Sequence, residues 1–319
     1  MIQPMPVRPL YLERMSPATL AHRARALEEL TAECRLCPRA CGARRLEGEP
    51  GECGTAREAW VFSAAPHYGE EPPLVGTGGS GTIFFSFCNL RCIFCQNHEI
   101  STGSAGGTTV SAAALAALML RLQAAGCHNI NLVTPTHLTA QIVRALSIAV
   151  EGGLELPLVY NCGGYESVET LRLLENIVDI YMPDIKYSDD ETARSCSGIE
   201  HYWQTVRDAV REMHRQVGNL WTDARGIARR GVLYRHLVLP GGLAGSERVL
   251  EFIRREISVD AYVNIMEQYR PAHRAFGHPV LGRPVRAAEV EAARRYGHIL
   301  GLHRGFSHAV HRWSPREIG

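Results

Sequence analysis

Six short apolar runs, separated by helical patterns, constrain this chain more than any other feature. The runs are Thr82–Phe87, Asn129–Val133, Leu156–Tyr160, Ile177–Met182, Val232–Leu239 and Ala261–Met266. Between them lie Ser111–Ala125, Thr139–Val150, Glu166–Glu175, Tyr202–Val217 and Ser246–Ile257, each with helical periodicity. Near-continuous apolar strands alternating with helices mean parallel β/α units buried on both faces. Six such units predict an α/β fold of a particular kind, an open, partial (β/α)6 TIM-like barrel. A last helix at Ala287–Leu302 closes it. Residues 1–75 read as an N-terminal extension with a Ser16-capped, Pro17-initiated helix and a cysteine-rich stretch, and residues 76–319 as the barrel core.

Charge and hydropathy narrow the class. The 34 basic and 33 acidic residues leave a net charge of +1, which argues against nucleic acid or a membrane surface as a charge-held partner. No apolar run reaches transmembrane length, and Met1–Leu10 carries three prolines without the apolar core of a secretory signal, so a cytoplasmic location is expected. All but one of the basic residues are arginine, the exception being Lys186. In a chain that uses Arg so freely, a lone Lys is a candidate for chemistry that needs a compact ammonium.

In parallel β/α folds the chemistry gathers at the C-terminal ends of the strands. Those ends carry Cys88-x3-Cys92-x2-Cys95, Thr134-Pro-Thr136-His137, Asn161-Cys-Gly-Gly164, Asp184-Ile-Lys186 and Gln268-Tyr269-Arg270. Arg235 and His236, on the fifth run, point to opposite faces, so one of them faces the barrel interior. Three thiolates on one loop can hold three irons of a 4Fe–4S cluster and leave the fourth open to a ligand, whereas structural zinc usually takes four protein ligands. A second set, Cys34-x2-Cys37-x3-Cys41-x11-Cys53, offers four thiols, and an auxiliary iron–sulfur cluster and a structural zinc both fit it. His67, Glu70 and Glu71 follow that set and are candidates to shield a cofactor or bind substrate.

The cysteine triplet with Phe94 before its last member resembles the radical S-adenosylmethionine (radical SAM) superfamily. The segments IFFSFCNLRCIFCQNHEIS, NINLVTPTHLT, VDIYMPDIKY, YRHLVLPGG and VNIMEQYRP are similar to the branch of pyruvate formate-lyase activating enzymes. The resemblance implies S-adenosylmethionine chelated by the open iron and cleaved after one-electron reduction to a 5′-deoxyadenosyl radical that abstracts hydrogen. It also implies a flavodoxin- or ferredoxin-type reductant. Phe94 would pack near the adenine, and Asn97 belongs to the same cofactor-facing segment. Where the superfamily commonly places a Gly-Gly-Glu against the cofactor's amino group, this chain has Thr134 and Thr136, whose oxygens are the substitutes. Thr136 is equally a helix cap. Asp184 corresponds to a residue beside a monovalent-cation site, and Asn161 stands roughly where the relatives have a second Asp. Asn161 is also a candidate for the ribose hydroxyls. Lys186, His137 and Arg235 are the candidate catalytic side chains, and His236 a candidate cofactor contact. The function implied is generation of a glycyl radical in a partner protein. The alternative is modification of a small metabolite or a short peptide.

Replacing Cys88, Cys92 and Cys95 together by Ala is expected to abolish 5′-deoxyadenosine formation while the barrel still folds. Reductant-dependent cleavage by a folded triple variant, read by chromatography, would reject the ligand assignment.

Overall fold

The computed structural model describes residues 8–306. The first part of the Met1–Leu10 stretch and the end of the 76–319 segment lie outside the described residues. The strands are β1 (Ala59–His67), β2 (Ser80–Phe85), β3 (Thr108–Val110), β4 (Ile130–Val133), β5 (Leu158–Cys162), β6 (Ile180–Pro183), β7 (Trp221–Thr222), β8 (Ala228–Leu237) and β9 (Tyr262–Met266). They pair in the order β3-β1-β2-β4-β5-β6-β8-β7, with β9 on β8. All six apolar runs form strands, namely β2, β4, β5, β6, β8 and β9, and each is parallel to the next. The sheet is partly open, the architecture expected of a partial barrel.

Helices Ala112–Ala124, Thr139–Glu151, Val168–Leu173, Tyr202–Val217 and Ser246–Phe252 fall between the parallel strands, and Ala287–Ile299 follows the last. Ser111 caps the first of these through the N–H of Ala114, 3.2 Å away, as its hydroxyl chemistry favours. The Glu166–Glu175 pattern is helical only over Val168–Leu173, because Ser167 takes the cap position and Glu166 is buried beneath it. A helix at Asp190–Ser197, capped by Asp189, was not expected from periodicity; with eight residues it is too short to show one.

Alternation sorts the strand residues into two cores. Leu132, Tyr160, Tyr181, Val232, Tyr234 and Val263 face the surrounding helices in one large cluster. On the other face, Val159, Ile180, Met182 and Leu233 pack in the barrel interior with Leu74, Leu220 and Ala228. Leu74 comes from the connection between β1 and β2. Those two strands are antiparallel, and His67 at the end of β1 pairs with Ser80 at the start of β2. The connection therefore lies at the N-terminal end of the barrel, where the side chain of Leu74 enters and plugs it. The short helix Pro72–Val75 carries the plug, and the Asn129 side chain holds it by donating to the Leu74 carbonyl over 2.8 Å.

Leu74→Ala is expected to lower unfolding free energy by about 2–5 kcal/mol, the cost of a cavity at a fully buried site. Urea denaturation followed by circular dichroism measures it, and a loss below about 1 kcal/mol would show that the plug does not pack as described.

Candidate active site

The cysteine loop leaves β2 in a strained conformation. Phe87 and Arg91 both have left-handed backbone, at φ 72° and 54°, each costing on the order of 1–3 kcal/mol. Packing holds Phe87 there. Its ring meets Trp60 edge to face at 5.7 Å and lies so close to Gly54 and Gly103 that added Cβ atoms would approach within 2.6 and 2.3 Å. Only glycine leaves that space, so the residue before Cys88 is clamped from both flanks.

Each thiol of the loop has a hydrogen-bond donor. The Leu90 N–H lies 3.3 Å from Cys88 Sγ, the Ser197 hydroxyl 3.1 Å from Cys92 Sγ, and the Ser101 hydroxyl 3.4 Å from Cys95 Sγ. Ser197 is in turn 2.8 Å from the Tyr187 hydroxyl. Burial pushes the Cys88 thiol up to about 12 and raises Cys95 as well. Such thiols deprotonate when a metal replaces the proton, and donors to sulfur then steady the thiolates. Three soft donors on one braced loop, each with its own hydrogen bond, fit an iron–sulfur cluster. Among the described residues, no three His, Cys, Asp or Glu side chains converge on one point as a single ion would need.

Below this loop a chain of polar side chains crosses the barrel. Asp184, just past β6, accepts from Lys186 Nζ at 2.6 Å through one oxygen and from Arg235 Nε at 2.7 Å through the other. Arg235 also donates to Asn161 Oδ1 at 2.6 Å and lies 3.5 Å from Glu70 Oε1. The other oxygen of Glu70 accepts from Asn131 at 2.9 Å and Asn161 at 3.3 Å, and Glu71 accepts from Asn264 at 2.7 Å. Glu70 and Glu71 rise into the barrel from the plug. Burial would push the Asp184 carboxyl up, but Arg235 and Lys186 outweigh it and hold it below the usual range. Burial would likewise lower Lys186, but Asp184 and then Cys92 raise it, so it stays an ammonium near the cysteine loop. Both oxygens of Asp184 are therefore occupied by cationic side chains, which supply the charge a monovalent cation would bring.

The structure thus brings Asn161, Asp184, Lys186 and Arg235 together beside the triplet. Phe94 is buried, edge to face with Tyr187 at 6.1 Å and Tyr269 at 5.9 Å. Thr134 stands at the rim with φ 59°, its N–H bonded to the Asn161 carbonyl. Asn97 is exposed and caps the turn His98–Ser101 through its carbonyl. Three other candidates are placed elsewhere. Thr136 is fully buried and donates to Glu166 at 2.7 Å. His137, pushed down to about 3 by burial, is a neutral ring whose Nε2 sits 3.0 Å from the Ser86 carbonyl, bracing the backbone before the cysteine loop. His236 takes the face opposite Arg235, between the Ile185 carbonyl at 2.7 Å and the Ser246 hydroxyl at 2.8 Å. Asn131 and Asn264 escaped the sequence reading. The available signal was an amide at an inward position of an otherwise apolar strand.

The N-terminal cysteines lie against the same loop. Arg39, between Cys37 and Cys41, donates to the carbonyls of Asn89 and Leu90 in the loop and of Ser197 beside it. It also pairs with Glu52 at 2.8 Å, and Arg91 reaches the Glu52 carbonyl at 3.2 Å.

Arg235→Met is expected to lower stability by about 3–5 kcal/mol, because Glu70 and Asp184 lose a shared buried partner. Chemical denaturation with a check of native circular dichroism measures it. A change under about 1 kcal/mol would mean that solvent, not Arg235, compensates the two carboxylates.

Comparison with known proteins agrees with this geometry. A family model described as the radical SAM superfamily matches residues 82–240, from β2 to just past β8, and so includes the triplet and every candidate from Thr134 to His236. An uncharacterized protein of Methanocaldococcus jannaschii is 29% identical over 290 residues, covering 88% of this chain and 79% of that protein. Two solved structures are weakly similar in fold, each at TM-score 0.39 and 10% identity. One is described as histidine-tagged anSMEcpe with bound AdoMet, with 58% of this chain and 49% of that chain covered, so the likeness spans about half of that protein. The other is TYW1 with a lysine-pyruvate adduct bound, with coverage of 70% and 74%. The family match falls on the parallel strands and on the braced loop with its three thiols, and over residues 82–240 the chain is similar to the radical SAM superfamily.

Proposed function

We propose that this radical SAM enzyme generates a glycyl radical in a partner protein. The observation that carries the reading is the end of β6, where Met182, Asp184 and Lys186 follow the pattern of activating enzymes and the Asp–Lys pair, 2.6 Å apart, lies beside the cysteine loop. A partly open sheet suits a substrate delivered as a loop of another protein. A second reading, a small metabolite or short peptide, draws support from the N-terminal cysteine segment leaning on that loop.

Cys88, Cys92 and Cys95 would hold the 4Fe–4S cluster, which with S-adenosylmethionine supplies one-electron cleavage and hydrogen-atom abstraction when bound. The chain's own residues do the rest. Arg235 fixes Asp184 and Asn161 side by side across the barrel. Asp184 keeps Lys186 protonated, its ammonium near the sulfurs of Cys92 and Cys95. A compact ammonium there offers a donor to an anionic group such as the cofactor's carboxylate. Phe94, Tyr187 and Tyr269 form an apolar wall that excludes water from one side of the loop.

The test is anaerobic incubation of the reconstituted, dithionite-reduced protein with S-adenosylmethionine and candidate glycyl-radical proteins. A glycyl-radical signal in the partner's electron paramagnetic resonance spectrum is the expected result. Turnover of peptides or metabolites without such a signal would favour the second reading. Lys186→Arg and Lys186→Met should both reduce 5′-deoxyadenosine formation by roughly tenfold or more, about 1.4 kcal/mol in the barrier, with cluster content unchanged. Activity of Lys186→Arg within about twofold of the parent would remove Lys186 from the site.

A further inference from the structure

Arg45 is a fully buried arginine without a carboxylate. It is 1% exposed, and among the described residues no Asp or Glu oxygen lies within ion-pair distance of it. Its guanidinium donates to the Ala56 carbonyl at 3.0 Å, the Thr55 hydroxyl at 3.1 Å and Cys34 Sγ at 3.8 Å. The Thr55 hydroxyl is also 3.1 Å from Cys53 Sγ. A buried charge needs a counter-charge, and neutral thiols and carbonyls do not provide one.

Cys34, Cys41 and Cys53 lie beside this position. The limbs of their loop pair through Cys34 N–H to the Ala43 carbonyl and Gly42 N–H to the Cys34 carbonyl, each at 3.0 Å. Gly51 lies between two of the sulfurs, and a Cβ there would come within 3.2 Å of Cys41 Sγ and 3.5 Å of Cys53 Sγ. Gly51 thus leaves the space between the Cys41 and Cys53 sulfurs free of side-chain bulk.

We propose that Cys34, Cys37, Cys41 and Cys53 hold a second metal centre, separate from that of the 88–95 loop, and that Arg45 is its buried counter-charge. Four thiolates around a 4Fe–4S core of charge +2 leave a net charge of −2. The single guanidinium offsets half of it. The chemistry is that of an anionic tetrathiolate iron–sulfur centre. Through Arg39 and Glu52, ordering this loop also orders the carbonyls of Asn89 and Leu90 in the catalytic loop. The proposal does not depend on which substrate the enzyme uses.

The experiment compares metal and acid-labile sulfide per full-length chain, purified anaerobically from medium replete in iron and zinc. Three proteins are measured: the parent, the Cys88, Cys92, Cys95→Ala variant and the Cys34, Cys37, Cys41, Cys53→Ala variant. The triplet variant should retain a stoichiometric metal centre, and the quadruple variant should lose that amount. Iron with acid-labile sulfide supports the proposal, and zinc alone, a single ion for which no described side chains converge, overturns it. A folded triplet variant without bound metal overturns it. Arg45→Met keeps all four thiols, so it tests the charge. It should release the second metal to a chelator roughly tenfold faster than the parent, within the range seen when a partner of metal ligands is lost, and Arg45→Lys should recover much of the difference. If Arg45→Met, with parental circular dichroism, releases metal at the parental rate, Arg45 is not the counter-charge.

Discussion

The pairing of Arg235 with Asp184 and Glu70 is the interaction on which the site depends. A guanidinium inside a barrel must be compensated, and here one carboxylate comes from the C-terminal end of β6 and the other from the plug below. Asn161 completes the set from β5, and Asn131 anchors Glu70 from β4. One charged group therefore ties three neighbouring parallel strands to the plug. The fit of the buried partners matters more than their number, since a half-satisfied buried network is worse than an apolar core. The same constraint explains Lys186. Its ammonium faces the cysteine loop only because Asp184 is already held from the other side.

A second constraint acts on the cysteine loop. Left-handed backbone at Phe87 and Arg91 persists because surrounding groups over-determine it. Gly54 and Trp60 from the N-terminal part of the chain and Gly103 from beyond the loop enclose the Phe87 ring. His137 supports the Ser86 carbonyl, and Arg39 supports those of Asn89 and Leu90. The N-terminal segment is thus part of the wall of the cysteine loop. β1 continues this relation, since it pairs antiparallel along β2, the strand that feeds the loop.

Much of this was legible in the residues. Apolar runs bounded by turn residues marked all six parallel strands, because a strand buried on both faces has almost no polar positions. β1 was not marked. It ends at Pro66-His67 on an antiparallel edge, and its mixed burial breaks both strict alternation and a continuous run. Period-two alternation puts Arg235 and His236 on opposite faces, and the structure gives the interior to Arg235. His236, Thr136 and His137 read as site candidates because polar residues follow strand ends. Their hydrogen bonds instead go to Ile185, Ser246, Glu166 and Ser86, groups that packing buries between sheet and helices.

By itself the sequence determined the parallel β/α units and the cysteine loop and carried the resemblance to the radical SAM superfamily, because each rests on local periodicity or on spacing along one short segment. Tertiary structure alone decided which polar side chains share the interior. Glu70 meets Asn161 across 91 residues of chain and Asn264 meets Glu71 across 193, contacts no local pattern encodes. The physical reason is the cost of an unpaired buried charge. It is settled only when the whole barrel closes around the plug, and the partners that satisfy it come from wherever the fold happens to bring an oxygen within reach.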